Sequence, residues 1–245
     1  MNRAKFYETL RVNKKPFGTK LQQMQVDGME ALLDEGKDLP LHDMANVLGQ
    51  VYRETGGIMY PIKETVMLSH KDKNPSDAEV IRRLDRAFAA GKLKGVTKPY
   101  WKGGEFGRGQ IQLTHLANRK KFGITNRDDL LKLDVSARIA VEGMRDGKFR
   151  GKKLSDYNFP QDLHNPPDTN PRRIVNGKDG SDKLVAGYHT AFAEALFAAG
   201  WGRTTHTGPQ TITVHTGLSK TFPGEIKPQE PKGLLARFFA LFRRK

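Results

Sequence analysis

Apolar residues in the first two hundred positions recur at helical rather than strand spacing. In "TKLQQMQVDGMEALLDEG", Leu21, Met24, Met29, Leu32 and Leu33 fall at near-helical intervals, and Gly36 can end the helix. Residues 1–40 therefore read as helical. A second helix is expected over about 41–55, with Met44, Val47, Leu48 and Val51 as its apolar stripe. A third is signalled by "NPSDAEVIRRLDRAFAAG": Ser76 and Glu79 make a capping box, and Val80, Ile81, Leu84, Ala87 and Phe88 share a face. Gly91 is its stop. "DLLKLDVSARIAVEGMRDG" reads as helical too. "SDKLVAGYHTAFAEALFAAG" is the longest regular helix, with Leu184, Tyr188, Ala191, Phe192, Ala195 and Leu196 expected to face inward. Strand signals are few and short, so the fold class is mainly α.

After Trp201 the chain changes character. Thr, Gly and Pro dominate, which reads as a linker with one short strand around "TITV". The end, "GLLARFFALFRRK", is amphipathic if helical, with Leu and Phe on one side and Arg237, Arg243 and Arg244 on the other.

At 245 residues the chain suits one substantial domain with extensions or two small ones, and 37% hydrophobic residues suit a folded protein. Cysteine is absent, which excludes disulfides and thiolate chemistry and is compatible with a cytoplasmic life. The start, "MNRAKFYETL", shows no secretion signal, and no run is long enough to span a membrane. A protein of this kind that acts outside the membrane needs something else to carry it there. The net charge of +15 favours anionic partners: nucleic acid, lipid head groups or an acidic cell-wall polymer. Zinc-finger, basic-zipper and RNA-binding signatures are absent. The histidines lack ligand spacing, so neither a metal nor a cofactor is expected.

Chemistry enters at "YRETGG", residues 52–57. Glu54 projects almost in line with Val47 and Val51, so burial beside apolar packing should favour its neutral form. It also lies in the last turn of a helix, where the dipole disfavours an anion. Both effects suit a general acid. The plain alternative is a solvated glutamate before a glycine stop. A partner carboxyl would decide the matter, and Glu64 in "MYPIKETV" follows a turn directed by Pro61. Glu79 and Asp77 are explained by their helix cap, and Glu105 between glycines stays open.

"GGEFGRGQIQLT" fails as a phosphate loop and as a dinucleotide fingerprint. As extended chain it would align Gln110, Gln112 and Thr114 on one face, backed by Ile111 and Leu113. Such a face suits sugar hydroxyls or a water held for attack. Thr114 could equally cap the helix of "HLANRKKFG".

Together, "YRETGG", "GRGQIQLT" and "RRIVNGKDG", in that order, resemble the glycoside hydrolase family 19 chitinases and their phage endolysin relatives in the lysozyme-like superfamily. The resemblance covers about residues 40–200. It implies a two-lobed helical domain with a cleft, and inverting hydrolysis. Glu54 would be the general acid, Glu64 the second carboxylate as in the phage-type enzymes, and Thr114 the hydroxyl that holds the water. Gln112, Asn176, Tyr100 and Arg108 would contact substrate. Inversion needs roughly 6.5–9.5 Å between the carboxyls. One departure is Arg53, which stands where the family has His; it is expected to face solvent or the cleft rim.

The organisation implied is a helical segment at 1–39 packed on a family 19-like domain at 40–202, a linker at 203–231 and a cationic tail at 232–245. Charge favours peptidoglycan over near-neutral chitin, and the tail could engage an anionic membrane surface. A monomeric muralytic endolysin or virion-associated lysin is the leading expectation. Its rivals are a chitinase, a glycan-binding virion protein without turnover and, on charge alone, a nucleic-acid binder.

Overall fold

The computed structural model describes residues 1–164, 170–177 and 179–202; the expected linker at 203–231 and tail at 232–245 lie outside them. The described residues form a mainly α fold. Its helices are α1 (Arg3–Asn13), α2 (Gln23–Glu35), α3 (Leu41–Glu54), α4 (Asp77–Ala89), α5 (Leu116–Lys120), α6 (Leu133–Arg145) and α7 (Asp182–Ala198). Two short strands, β1 (Ile62–Lys63) and β2 (Arg108–Gly109), pair antiparallel.

α3 is the central element. Its stripe of Met44, Val47, Leu48 and Val51 is fully buried, but Ala45, Asn46, Gly49 and Gln50 on the remaining faces are buried too. It packs most extensively on α7. Gly49 permits that approach, since a β-carbon there would lie 3.1 Å from the backbone nitrogen of His189. The N-terminal helices join the same core through Phe6, Leu10, Met29, Leu32 and Leu33. Trp201 closes it, donating from its indole to the Leu39 carbonyl at 2.9 Å.

On α7, Ala191, Phe192, Ala195 and Leu196 are buried as expected and Tyr188 packs half-buried on the same core, but Leu184 faces outward. Leu184 is 42% exposed, while Val185, His189, Phe192 and Leu196 face the core at spacings of four, three and four. The reason is polar. His189 is buried because its ring meets His42 at 3.1 Å and Asn46 at 3.4 Å and packs on Phe159. An apolar count alone would have left that histidine outside.

A second, smaller core joins Val80, Leu84 and Ala87 of α4 to Leu93, Trp101 and Phe106. Ser76 caps α4 by accepting from the Glu79 amide at 3.2 Å. The Glu79 carboxylate engages Arg82 and Arg83. Pairing of Ile62 with Gly109 and Lys63 with Arg108 ties the chain after α3 to the glycine-rich stretch. No helix among the described residues is long and apolar enough to cross a membrane.

Candidate functional site

Glu54 is the last residue of α3 and only 4% exposed. Its neighbour is not apolar packing alone, which corrects the expected surroundings. Arg172 donates from Nη2 to Glu54 Oε1 at 2.5 Å. Arg172 sits in a short 3-10 turn, Pro171–Ile174, whose entry is fixed by the Asn170 side chain accepting from the Arg172 amide. The other donors of its guanidinium are also engaged. Nη1 donates to Gln50 at 2.7 Å, Nη2 to Asp179 at 2.9 Å, and Nε to Ser181 at 3.0 Å.

Burial works against the charge on Arg172, yet the carboxylates of Glu54 and Asp179 hold its pKa above the ordinary value. Burial likewise opposes ionisation of Asp179, but Arg172 and Ser181 keep its carboxyl below the usual range. Asn176 belongs to this network, donating to Asp179 at 3.0 Å and accepting from the Gly177 amide. Arg53, expected at the rim, is buried to 7% exposure. Because α3 is covered on nearly every side, its last turn offers Arg53 no solvent face. Burial first, and then the charge of Arg172, lower the Arg53 pKa.

Glu64 follows directly on β1. Its amide donates to the Gly107 carbonyl at 2.7 Å, while the Gly107 amide donates back to Glu64 Oε2 at 2.8 Å. The hydroxyl of Tyr100 donates to Oε1 at 2.8 Å. Burial pushes the Glu64 carboxyl up to about 7, against the opposing pull of Gly107, Tyr100 and Arg108. The carboxyl that burial favours in its protonated form is thus Glu64. Glu54 lies beside a buried cation.

The glycine-rich stretch does not run extended as expected. Arg108 and Leu113 exchange both backbone hydrogen bonds across a tight reversal, and Gln112 takes a positive φ of 51°. The supposed polar face is therefore folded inward. Gln112 donates to the carbonyls of Ile62 and Gly109 at 3.1 and 2.6 Å, bracing β1 against β2. Thr114 is buried and bonds the Gln112 carbonyl at 3.3 Å; His115, not Thr114, occupies the N-cap position of α5.

Arg108, expected at the substrate, is completely enclosed in the structure. It lies over the Phe106 ring, donates to the Gly104 carbonyl and pairs with Asp77 at 2.7 Å. Tyr100 is half-buried, bound to Glu64 and edge-on to His115. Glu105, left open by the sequence, pairs with Arg119 at 2.8 Å.

Strain gathers here. Met59, Thr65, Gln112 and His115 all have positive φ without being glycine. Thr65 Oγ1 and Gln112 Oε1 are buried without hydrogen-bond partners among the described residues. Backbone strain and unsatisfied polar atoms concentrate at functional sites more than at scaffold positions. Glu64, Tyr100, Gln112 and Thr114 therefore form one group around the β1–β2 pairing, and Glu54, Arg172, Asp179 and Asn176 another around the end of α3. A ten-residue step along the chain joins the two.

Arg172, Asp179 and Gln50 were not foreseen. Arg172 lies 118 residues from Glu54 in the chain, and nothing periodic in "RRIVNGKDG" marks the first or second arginine as buried. Only its place in the same motif as Asn176 could have drawn attention to it. No group of three or more metal-ligating side chains occurs among the described residues. No known protein family, characterised protein or solved structure matches the chain.

Proposed function

We propose that the chain is an inverting glycoside hydrolase acting on the β-1,4-linked glycan backbone of peptidoglycan, as a muralytic endolysin or virion-associated lysin. One observation carries this reading: two buried glutamates, ten residues apart, occupy opposite electrostatic settings. Glu54 is ion-paired with Arg172, whereas burial raises the pKa of Glu64 to about 7. A pair of carboxyls whose surroundings separate their charge states is what acid–base cleavage of a glycosidic bond requires.

Burial favours the proton on Glu64, whereas Glu54 lies against the Arg172 guanidinium. The donor role accordingly falls to Glu64, and activation of water to Glu54. This reverses the assignment implied by the family resemblance. Thr114, Gln112 and Asn176 support the loops that carry these groups, and Tyr100 holds the Glu64 carboxyl in place.

The net charge of +15 supports peptidoglycan, which carries carboxylates, over near-neutral chitin. Residues 232–245 would add contact with an anionic membrane, and the site of action would be the cell wall. Inversion has a direct test. Proton NMR of the first products from peptidoglycan strands should show the α-anomer of the new reducing end before mutarotation. First appearance of the β-anomer would contradict the reading.

A further inference from the structure

Two short segments without acidic residues, 119–121 (Arg-Lys-Lys) and 148–153 (Lys-Phe-Arg-Gly-Lys-Lys), are brought together by the fold. Lys121 donates from Nζ to the Lys148 carbonyl at 3.3 Å, and the rings of Phe122 and Phe149 lie 5.6 Å apart beneath them. Arg119 pairs with Glu105, and Lys148 with Glu142. Lys120, Lys121, Lys152 and Lys153 are exposed; Asp146 feels the charge of Lys153, and the Asp156 carboxylate accepts from the Lys153 amide at 3.1 Å.

Two nearby acids are already paired with cations. Glu142 is held by Arg138 and Lys148, and Asp146 by Arg145 at 2.8 Å. The patch therefore keeps its positive potential. Its position is also defined. Arg150, between the two lysine groups, reaches the 176–177 turn: a β-carbon at Gly177 would lie 3.6 Å from the Arg150 guanidinium. Gly177 follows Asn176, which is bonded to the Asp179 of the Glu54 network.

We infer that this strip is a docking surface for the carboxylates borne along a peptidoglycan strand, adjoining through Arg150 the turn that carries Asn176. The identity of the ligand rests on the hydrolase reading above; the cationic surface does not. Four exposed cations on two segments fit a polymer carrying single negative charges along its length. The chelating geometry a single compact anion requires is absent, because the lysines point from two different segments and share no donor target.

The test uses the full-length chain with Glu54→Gln, so that binding is read without cleavage. A second chain adds Lys120→Gln, Lys121→Gln, Lys152→Gln and Lys153→Gln; all four side chains are exposed, so the fold is kept. Binding to purified sacculi at low salt should weaken about tenfold or more, and the difference should shrink as salt screens it. On sacculi whose carboxylates have been capped as neutral amides, the two chains should bind alike. Equal binding to untreated sacculi would overturn the inference. So would a difference that survives capping and instead follows phosphate-bearing polymer. With Glu54 restored, the four-glutamine chain should release reducing ends from the amide-capped sacculi as the parent does. Absence of release by both, from capped and untreated sacculi alike, would defeat the hydrolase reading while leaving the binding result intact.

Discussion

Arg172 and Glu54 meet at 2.5 Å with both side chains almost wholly enclosed. The pair joins the end of the central helix to a turn more than a hundred residues further on. Asp179 shares the same guanidinium at 2.9 Å, so one buried cation serves two carboxylates.

That sharing predicts unequal stability losses. Arg172→Met would strand two buried carboxylates and should cost about 3–5 kcal/mol. Glu54→Gln leaves Arg172 paired with Asp179 and still able to donate to the amide oxygen, so about 1–2 kcal/mol is expected. Denaturant unfolding of the two variants measures the difference. Equal losses would mean that Glu54 alone accounts for the charge balance.

Two buried groups should give opposite pH slopes. The Glu64 pKa is raised from 4.5 to about 7 in the folded state. Between those values the folded chain holds the extra proton, so its contribution to stability falls as pH rises, by about 3 kcal/mol in all. The His189 pKa is lowered from 6.5 to about 3, by burial first and then by His42. Between those values the unfolded chain holds the extra proton, so this contribution rises with pH. Unfolding midpoints from pH 4.5 to 6.5 should therefore rise more steeply with pH in Glu64→Gln than in the parent. In His189→Gln the slope should turn downward. Parallel curves for all three proteins would refute both assignments.

Tyr100 should tune the proton on Glu64. Its hydroxyl donates to the carboxyl and so favours the ionised form. If Glu64 must be protonated to act, activity declines as pH rises above about 7. Tyr100→Phe should shift that alkaline limb to higher pH, read from kcat/KM profiles. Activity that instead rises with pH through about 7, with that rise moved to higher pH in Tyr100→Phe, would show that the ionised form of Glu64 is the active one.

Leaving-group chemistry separates the two roles. An activated aryl glycoside needs little protonation of its departing oxygen, so Glu64→Gln should recover much of its activity on such a substrate, whereas Glu54→Gln should not. Recovery by Glu54→Gln alone would restore Glu54 as the acid, with Arg172 drawn onto Asp179 during turnover.

The parts of this structure legible in the chain are those set by local periodicity and capping. The α3 stripe, the Ser76 cap and the Gly91 stop are all determined by residues a few positions apart. What was hidden depends on distant partners. Leu184 faces outward because His42 and Asn46 draw His189 in, and Arg53 is buried because other elements cover the helix end. Gln112 adopts its positive φ to brace two strands of two residues each, too short to announce themselves by alternation. Glu54 and Glu64 could be picked out as acids of interest. Their surroundings could not, because Arg172 and the Tyr100–Gly107 cradle come from remote chain segments.

The most direct test of the account is the release of reducing ends from purified sacculi by the intact protein and by Glu54→Gln and Glu64→Gln, each confirmed to be folded by circular dichroism. The account predicts steady release by the parent and a loss of at least about a hundredfold in either variant. Undiminished release by a folded Glu54→Gln or Glu64→Gln protein would contradict it.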